Sequence, residues 1–307
     1  MQKNRAILIV FDAEGITGIS QWKDVVADFS SARPSEKLKK AMGEDISAVL
    51  EGAYGAGIKR AYVLDWHYSG NNIRKGDLKI PKGMKVILKT ETPEILKEYS
   101  SRSSFAALIG FHGKTDSNDG LPPWFEDEFE SGKKKGVAHV FAFTIDKMLL
   151  NGVSRGEAVI YAHVLKELNT PLIFCSGSKA ATDELTQFAP EVVAVPTRDG
   201  NELFDANDVR SKIKYGVKLA IKKADEGGFT GKDYSKFNYK SFTMVFNMSN
   251  DKRYAEQVHK EFAAFLQTIP KKYLLIKKNR ISFNIKGQQP YFKIYSLIIK
   301  SVNSIFE

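Results

Sequence analysis

Ala6-Ile7-Leu8-Ile9-Val10-Phe11-Asp12-Ala13-Glu14-Gly15 decides the fold class. Six apolar residues run without a break and are then closed by two acids and a glycine. A strand buried on one face only would alternate apolar and polar residues, so a continuous run this short fits a strand covered on both faces, as in a parallel sheet. The same texture recurs downstream. Arg60 to Asp65, Lys85 to Leu88, Phe105 to Gly110, Pro171 to Cys175 and Glu191 to Val195 read as strands, and His139 to Ile145 as a weakly alternating one. Between them lie helical patterns: Ser35 opening a helix with its body at Leu38 to Tyr54 and stop signals at Gly55 and Gly57, then Pro93 to Tyr99, Gly156 to Leu168 and Lys179 to Phe188. Alternation of this kind predicts an α/β fold, a mostly parallel sheet with helices on both faces.

Beyond Val195 the texture changes. A helix from Asp208 to Asp225 leads into a Gly/Lys-rich linker, Glu226 to Lys236. A strand (Ser241 to Asn247), a helix (Asp251 to Leu266), one or two strands near Tyr273 to Ile285 and a helical segment after Tyr291 follow. The expected division is an α/β domain over residues 1–200 and a smaller C-terminal α+β unit over 201–307. The segment from Lys114 to Lys135, with Pro122, Pro123, an acidic run and then Lys133 to Lys135, reads as a long loop between site elements, either a lid or a surface insertion.

With 307 residues, 43% of them hydrophobic, the chain can bury a core that needs no disulfide or structural metal. The single Cys175 cannot pair internally and fits a reducing compartment. No apolar run is long enough to cross a bilayer, and Asp12 and Glu14 interrupt the first one where a signal peptide would need its cleavage site, so a cytoplasmic protein is expected. The net charge of +10 is concentrated in residues 271–307, which hold seven lysines, Arg280 and one acid. With no nucleic-acid motif accompanying it, this reads as a solvated surface, and neither nucleic acid nor membrane is an expected partner.

Function is read from the strand ends. Asp12 and Glu14 follow the first strand, His67 the second and His112 the Phe105 strand, while Glu157 opens a helix after Gly156 and His139 lies between the last two. Two carboxylates at i and i+2 on an extended end point the same way and repel unless a cation lies between them. Taken singly, each is ordinary: acids cap helices, Glu157 suits a helix dipole, and a histidine after a strand is usually a loop residue. Taken together, carboxylates and imidazoles at the carboxyl edge of an α/β sheet suit a zinc-type ion and metal-assisted hydrolysis. Asp65 is placed to orient the His67 ring, and Asn71 and Asn72 to close a turn.

In order along the chain stand Asp12-Ala-Glu14-Gly15-Ile-Thr-Gly18, Met42 to Ala53, Asp65-Trp66-His67 with Asn71-Asn72, Gly110-Phe-His112, Gly136-Val-Ala-His139 and Asn151 to Glu157. This set resembles the zinc-dependent D-aminopeptidase family associated with dipeptide-transport operons, over roughly residues 6 to 195. The resemblance implies two zinc ions held by Asp12, Glu14, His67, His112 and Glu157, with Asp12 bridging and His139 as the catalytic histidine. It implies a short peptide substrate with a free, D-configured amino end, and a ring-like homo-oligomer such as a decamer. Three departures stand out: Trp66 where the family has a small residue, a longer loop between His112 and His139, and Gly177-Ser178-Lys179 in place of Gly-Asp-Asp. Two other readings are open. Phe11-Asp12-Ala13-Glu14-Gly15-Ile16-Thr17 approaches the opening motif of haloacid-dehalogenase-like, magnesium-dependent phosphatases, with Asp12 as nucleophile, although that chemistry has no use for three histidines. The third is a metal-binding homologue without turnover.

Overall fold

The computed structural model describes residues 5–28, 33–68, 70–120, 136–141, 145–229, 241–246, 275–277, 280–284 and 290–306, with single positions at 260, 263 and 267. Its first strand, β1 (Ala6–Phe11), is buried along its whole length. A short helix α1 (Trp22–Val25) and a two-stranded ribbon, β2 (Val26–Asp28) with β3 (Arg33–Pro34), lead into α2 (Glu36–Gly55). The N-cap Ser35 accepts the Leu38 amide at 3.0 Å, which satisfies one of the helix's unpaired donors. Strand β4 (Arg60–Asp65), a 3-10 turn (Lys75–Asp77), β5 (Lys85–Thr90), α3 (Pro93–Ser100) and β6 (Phe105–Phe111) follow.

Next come β7 (Ile145–Leu150), β8 (Val153–Ser154), α4 (Glu157–Glu167), β9 (Leu172–Ser178), α5 (Lys179–Phe188), β10 (Val193–Asp199), β11 (Glu202–Leu203) and α6 (Ala206–Asp225). The described part of the remainder holds β12 (Ser241–Phe246), β13 (Leu275–Lys277), β14 (Arg280–Asn284) and α7 (Pro290–Phe306). The helix expected over 251–266 lies outside the described residues apart from positions 260 and 263.

The main sheet has seven strands in the order β11-β10-β9-β6-β1-β4-β5, parallel throughout except for the edge pair β10/β11. Alternate residues of β1 feed two cores. Leu8 and Val10 join the side covered by α3, α4, α5 and α7, and Ile7, Ile9 and Phe11 the side covered by α2 and α6. This is the two-faced burial that the unbroken apolar run predicts, and each such side chain contributes about 1.5–3 kcal/mol by leaving water. A second, antiparallel sheet, β13-β14-β12-β7-β8, takes β7 and β8 from before residue 200 and the others from after it. Meanwhile α6 packs on α2, β9 and β10 of the main sheet.

Of the strand expected over His139 to Ile145, residues 142–144 lie outside the described residues and the rest does not form it. Residues 136–141 form no strand, and the strand begins at Ile145. The reason is local: Phe141 has a positive φ of 59°, the Ala138 amide bonds Gly120 O, and the Phe141 amide bonds a side chain rather than a strand.

The topology positions the site. From β1 the chain moves outward through β4 and β5, then returns to the other side of β1 at β6 and continues through β9 and β10. The strand order reverses between β1 and β6, and ligands of open α/β sheets sit at such a crevice, outside the carboxyl ends of the strands. Two glycines let those ends close. The Gly15 amide bonds Gly110 O at 2.7 Å, and a Cβ on Gly15 would stand 1.9 Å from Phe111 O. Gly110 itself has φ +75°, and its Cβ would meet Asp12 O at 2.4 Å.

Candidate metal centre

All six predicted site residues converge at this crevice, each no more than 8% exposed. Asp12 is fixed beyond the end of β1 by its amide's bond to Ile109 O, at 2.8 Å. The chain then turns at once, with the Ile16 amide returning to Ala13 O at 3.1 Å. Asp12 and Glu14 are therefore brought together by a tight turn, not by strand alternation as the sequence suggests. His67 Nδ1 lies 3.2 Å from Glu14 Oε2 and 3.5 Å from Asp12 Oδ1. His112, directly after β6, places Nε2 3.5 Å from Asp12 Oδ2 and 3.6 Å from Glu157 Oε1.

Backbone carbonyls fix the orientation of two of the rings. His112 Nδ1 bonds Gly113 O at 2.9 Å and His139 Nδ1 bonds Val137 O at 2.8 Å. An imidazole that donates Nδ1–H to a backbone carbonyl presents Nε2 as a lone-pair ligand or base. The two rings stack, with centroids 4.1 Å apart and planes 16° from parallel. Glu157 opens α4 and receives the Phe141 amide on Oε1 at 2.6 Å and the Trp66 indole N–H on Oε2 at 3.2 Å.

Two overlapping groups could hold cations: Asp12, Glu14 and His112, and His112, His139 and Glu157, each with its ligand atoms within 4.8 Å of one another. His139 thus belongs to the second group and does not stand apart from it. Among the described residues, Asp12 Oδ2, both carboxylate oxygens of Glu14 and His112 Nε2 are buried without a well-directed hydrogen bond. Leaving such atoms bare costs about 1–3 kcal/mol each, and more for charged groups, unless something else coordinates them. The donor set, oxygen and imidazole nitrogen, fits a zinc-type ion.

The electrostatics show the same demand for positive charge. Burial and the charge on Glu14 push Asp12 up to about 7. Burial opposes a charged ring at His67, yet Glu14 and Asp12 outweigh it and push this group up to about 10. At His112 burial is again outweighed, by Glu157 and Asp12, and the ring is pushed up to about 10. Burial would raise Glu14 and Glu157, but the imidazoles of His67 and His112, respectively, hold them below the usual carboxylate range. Without an ion, protons on His67, His112 and Asp12 offset the charge of the cluster, so protons and metal compete for one set of atoms. His139 goes the other way. Burial and the charge on His112 hold it down to about 4, so it is neutral at pH 7.

Other supports were not foreseen from sequence. Arg198, wholly buried near the end of β10, pairs with Asp119 at 2.8 Å and bonds Gly200 O at 2.6 Å and Glu14 O at 3.3 Å. Asp119 in turn accepts the Gly113 amide at 2.5 Å, next to His112. An arginine in a strand as apolar as Val193–Asp199 has to find a charged partner, and that was the signal available. Thr197 Oγ1 donates to Gly15 O at 2.8 Å, and Asp45 accepts the Thr17 amide at 2.9 Å. Asp65 does not bond the His67 ring. Its carboxylate accepts from the amide and side chain of Asn72, whose Nδ2 also donates to His67 O at 2.7 Å, so Asp65 steadies the backbone of His67 instead. Of the expected loop, residues 114–120 are described and end at the buried Asp119–Gly120, while 121–135 lie outside the described residues.

The family model described as D-aminopeptidase, peptidase family M55, matches residues 6–122 and 129–260. Among solved structures the chain is similar to the Zn-dependent D-aminopeptidase DppA from Bacillus subtilis, a self-compartmentalizing protease. The TM-score is 0.70 at 17% identity, over 97% of this chain and 98% of that one. At that identity the likeness speaks for the fold. No curated protein matches the sequence. Among the described residues, no helix is long and apolar enough to cross a membrane.

Proposed function

The chain belongs to the M55 family of D-aminopeptidases, and on that premise we propose that it removes an N-terminal, D-configured residue from short peptides at a two-zinc centre. Asp12, Glu14, His67, His112 and Glu157 would hold the ions, with Asp12, which faces both His67 and His112, between them. Zinc bound there supplies a water of lowered pKa and a Lewis acid for the scissile carbonyl. His139 contributes proton transfer: with Nδ1 committed to Val137 O, Nε2 takes a proton from the attacking water and returns it to the leaving amine.

One observation carries the reading. Side chains from five separate segments meet with carboxylate and imidazole atoms buried and unsatisfied. A phosphatase would use Asp12 alone as nucleophile and would have no role for three clustered imidazoles, and the family match is to peptidases. The test is metal analysis of purified protein together with a panel of D- and L-dipeptides and amides. Zinc near two equivalents with D-selective release of the N-terminal residue supports the proposal. Magnesium-dependent phosphate release, or zinc occupancy with no cleavage of any member, refutes it.

By analogy with DppA, described as self-compartmentalizing, we also propose a homo-oligomer, as large as a decamer, assembled through the unit after residue 200. Mass measured in solution decides it, and a monomer refutes it. The buried, unpaired Cys175 supports a cytoplasmic location.

A further inference from the structure

Trp66 precedes His67, and its side chain leaves the chain on the opposite side, toward α4 and α7. It is half-buried, edge-on to Phe141 (5.5 Å, 78°) and Tyr161 (5.6 Å, 72°) and tilted against Tyr295 (6.1 Å, 41°). Those neighbours are themselves pinned. The hydroxyls of Tyr161 and Tyr295 both donate to Glu91 Oε2, at 2.9 and 2.5 Å, and lie 2.9 Å from each other. The indole is therefore wedged into a rigid aromatic cluster that takes Tyr295 from α7 and Tyr161 from α4.

This placement points the indole N–H at Glu157 Oε2, 3.2 Å away. The two oxygens of that carboxylate keep different company. Oε2 is turned to the indole, whereas Oε1 receives the Phe141 amide and faces His112 Nε2 at 3.6 Å. A carboxylate free to rotate can offer either oxygen or both, but one whose two oxygens are each held by a separate donor has a fixed bearing, and the indole is the donor that holds Oε2.

We propose that Trp66 is a positioning residue for Glu157: its indole N–H captures Oε2, so that Oε1 is the atom presented to the cation. The proposal rests on the reading of Glu157 as a ligand. It extends that reading to a residue 91 positions away in sequence, locked by the C-terminal helix.

The experiment strips the full-length protein of metal and titrates it with Zn²⁺ against a chromophoric chelator. The parent, Trp66→Phe and Glu157→Gln are compared, with the melting temperature of each metal-free protein recorded. Because Trp66→Phe leaves a gap that could perturb folding, a second variant carries 3-benzothienylalanine at position 66, which keeps the indole shape and lacks only the N–H. Removing an outer-shell donor to a metal ligand typically lowers affinity about 10–100-fold. The expected result is a loss of that size for one zinc equivalent in both position-66 variants, with metal-free melting of the benzothienyl variant unchanged. Parent-like zinc affinity in the benzothienyl variant, while Glu157→Gln loses zinc, overturns the positioning role and leaves Glu157 a ligand. Parent-like affinity in Glu157→Gln overturns the ligand reading itself, and the proposal with it.

Discussion

Replacing Arg198 with methionine should be among the most damaging changes outside the ligand set, and the structure sets its size. Arg198 is wholly buried and pairs with the equally buried Asp119 at 2.8 Å. Removing one partner of such a pair leaves an uncompensated buried charge, a loss of about 3–5 kcal/mol. That is a large part of a total stability of about 5–15 kcal/mol. For a chain of this length each kcal/mol moves the melting temperature by about 2 °C, so a fall of about 6–10 °C is expected. The damage should also reach the metal centre, because Asp119 holds the Gly113 amide beside His112 and Arg198 holds Glu14 O. Adding Asp119→Asn removes the stranded charge, so the double variant should melt above Arg198→Met alone. Calorimetry of the metal-free proteins, with zinc titration alongside, reads both effects. A single variant melting within about 2 °C of the parent, or a double variant no better than the single, would refute the account.

Three further outcomes are expected. Glu91 is pushed up to about 7, chiefly by burial, from an ordinary 4.5, so its contribution to stability is fully present below pH 4.5 and is lost as pH rises through 7. Glu91→Gln should therefore gain on the parent by up to about 3 kcal/mol between pH 5 and 8, and a pH-independent difference in melting temperature would count against this. Asp12→Ala or His112→Ala should lose bound zinc and all peptide cleavage, and either variant hydrolysing at the parent rate would remove that residue from the centre. Gly15→Ala would drive a methyl to 1.9 Å from Phe111 O, so it should destabilise by about 3 kcal/mol and weaken zinc binding. A stable variant with parent-like zinc affinity would show that the two strand ends can separate without cost.

Much of the fold was legible because short-range physics fixes it. The unbroken apolar run of β1 identified a two-faced strand, Ser35 caps a helix and Pro93 opens another where expected, and α5 spans Lys179–Phe188 as its pattern predicts. The ligand set was legible for a related reason. Polar residues stranded at the ends of apolar strands have few alternatives to the carboxyl edge of the sheet, so Asp12, His67 and His112 could be grouped before any coordinates. Where a local signal was weak it misled: residues 139–145 alternate slightly, yet the positive φ of Phe141 and its amide's bond to Glu157 keep residues 139–141 out of any strand.

What the chain alone determined is which residues reach the site. What only the tertiary structure decided is how they are held there. The tight turn that pairs Asp12 with Glu14, the detour of Asp65 through Asn72, the Arg198–Asp119 pair and the indole bond to Glu157 are absent from any local pattern. The last two join residues 79 and 91 apart. Those two depend on atoms that become neighbours only after the sheet has assembled, so no window of sequence contains both partners, and the shorter-range ones depend on a side-chain direction that the sheet end sets.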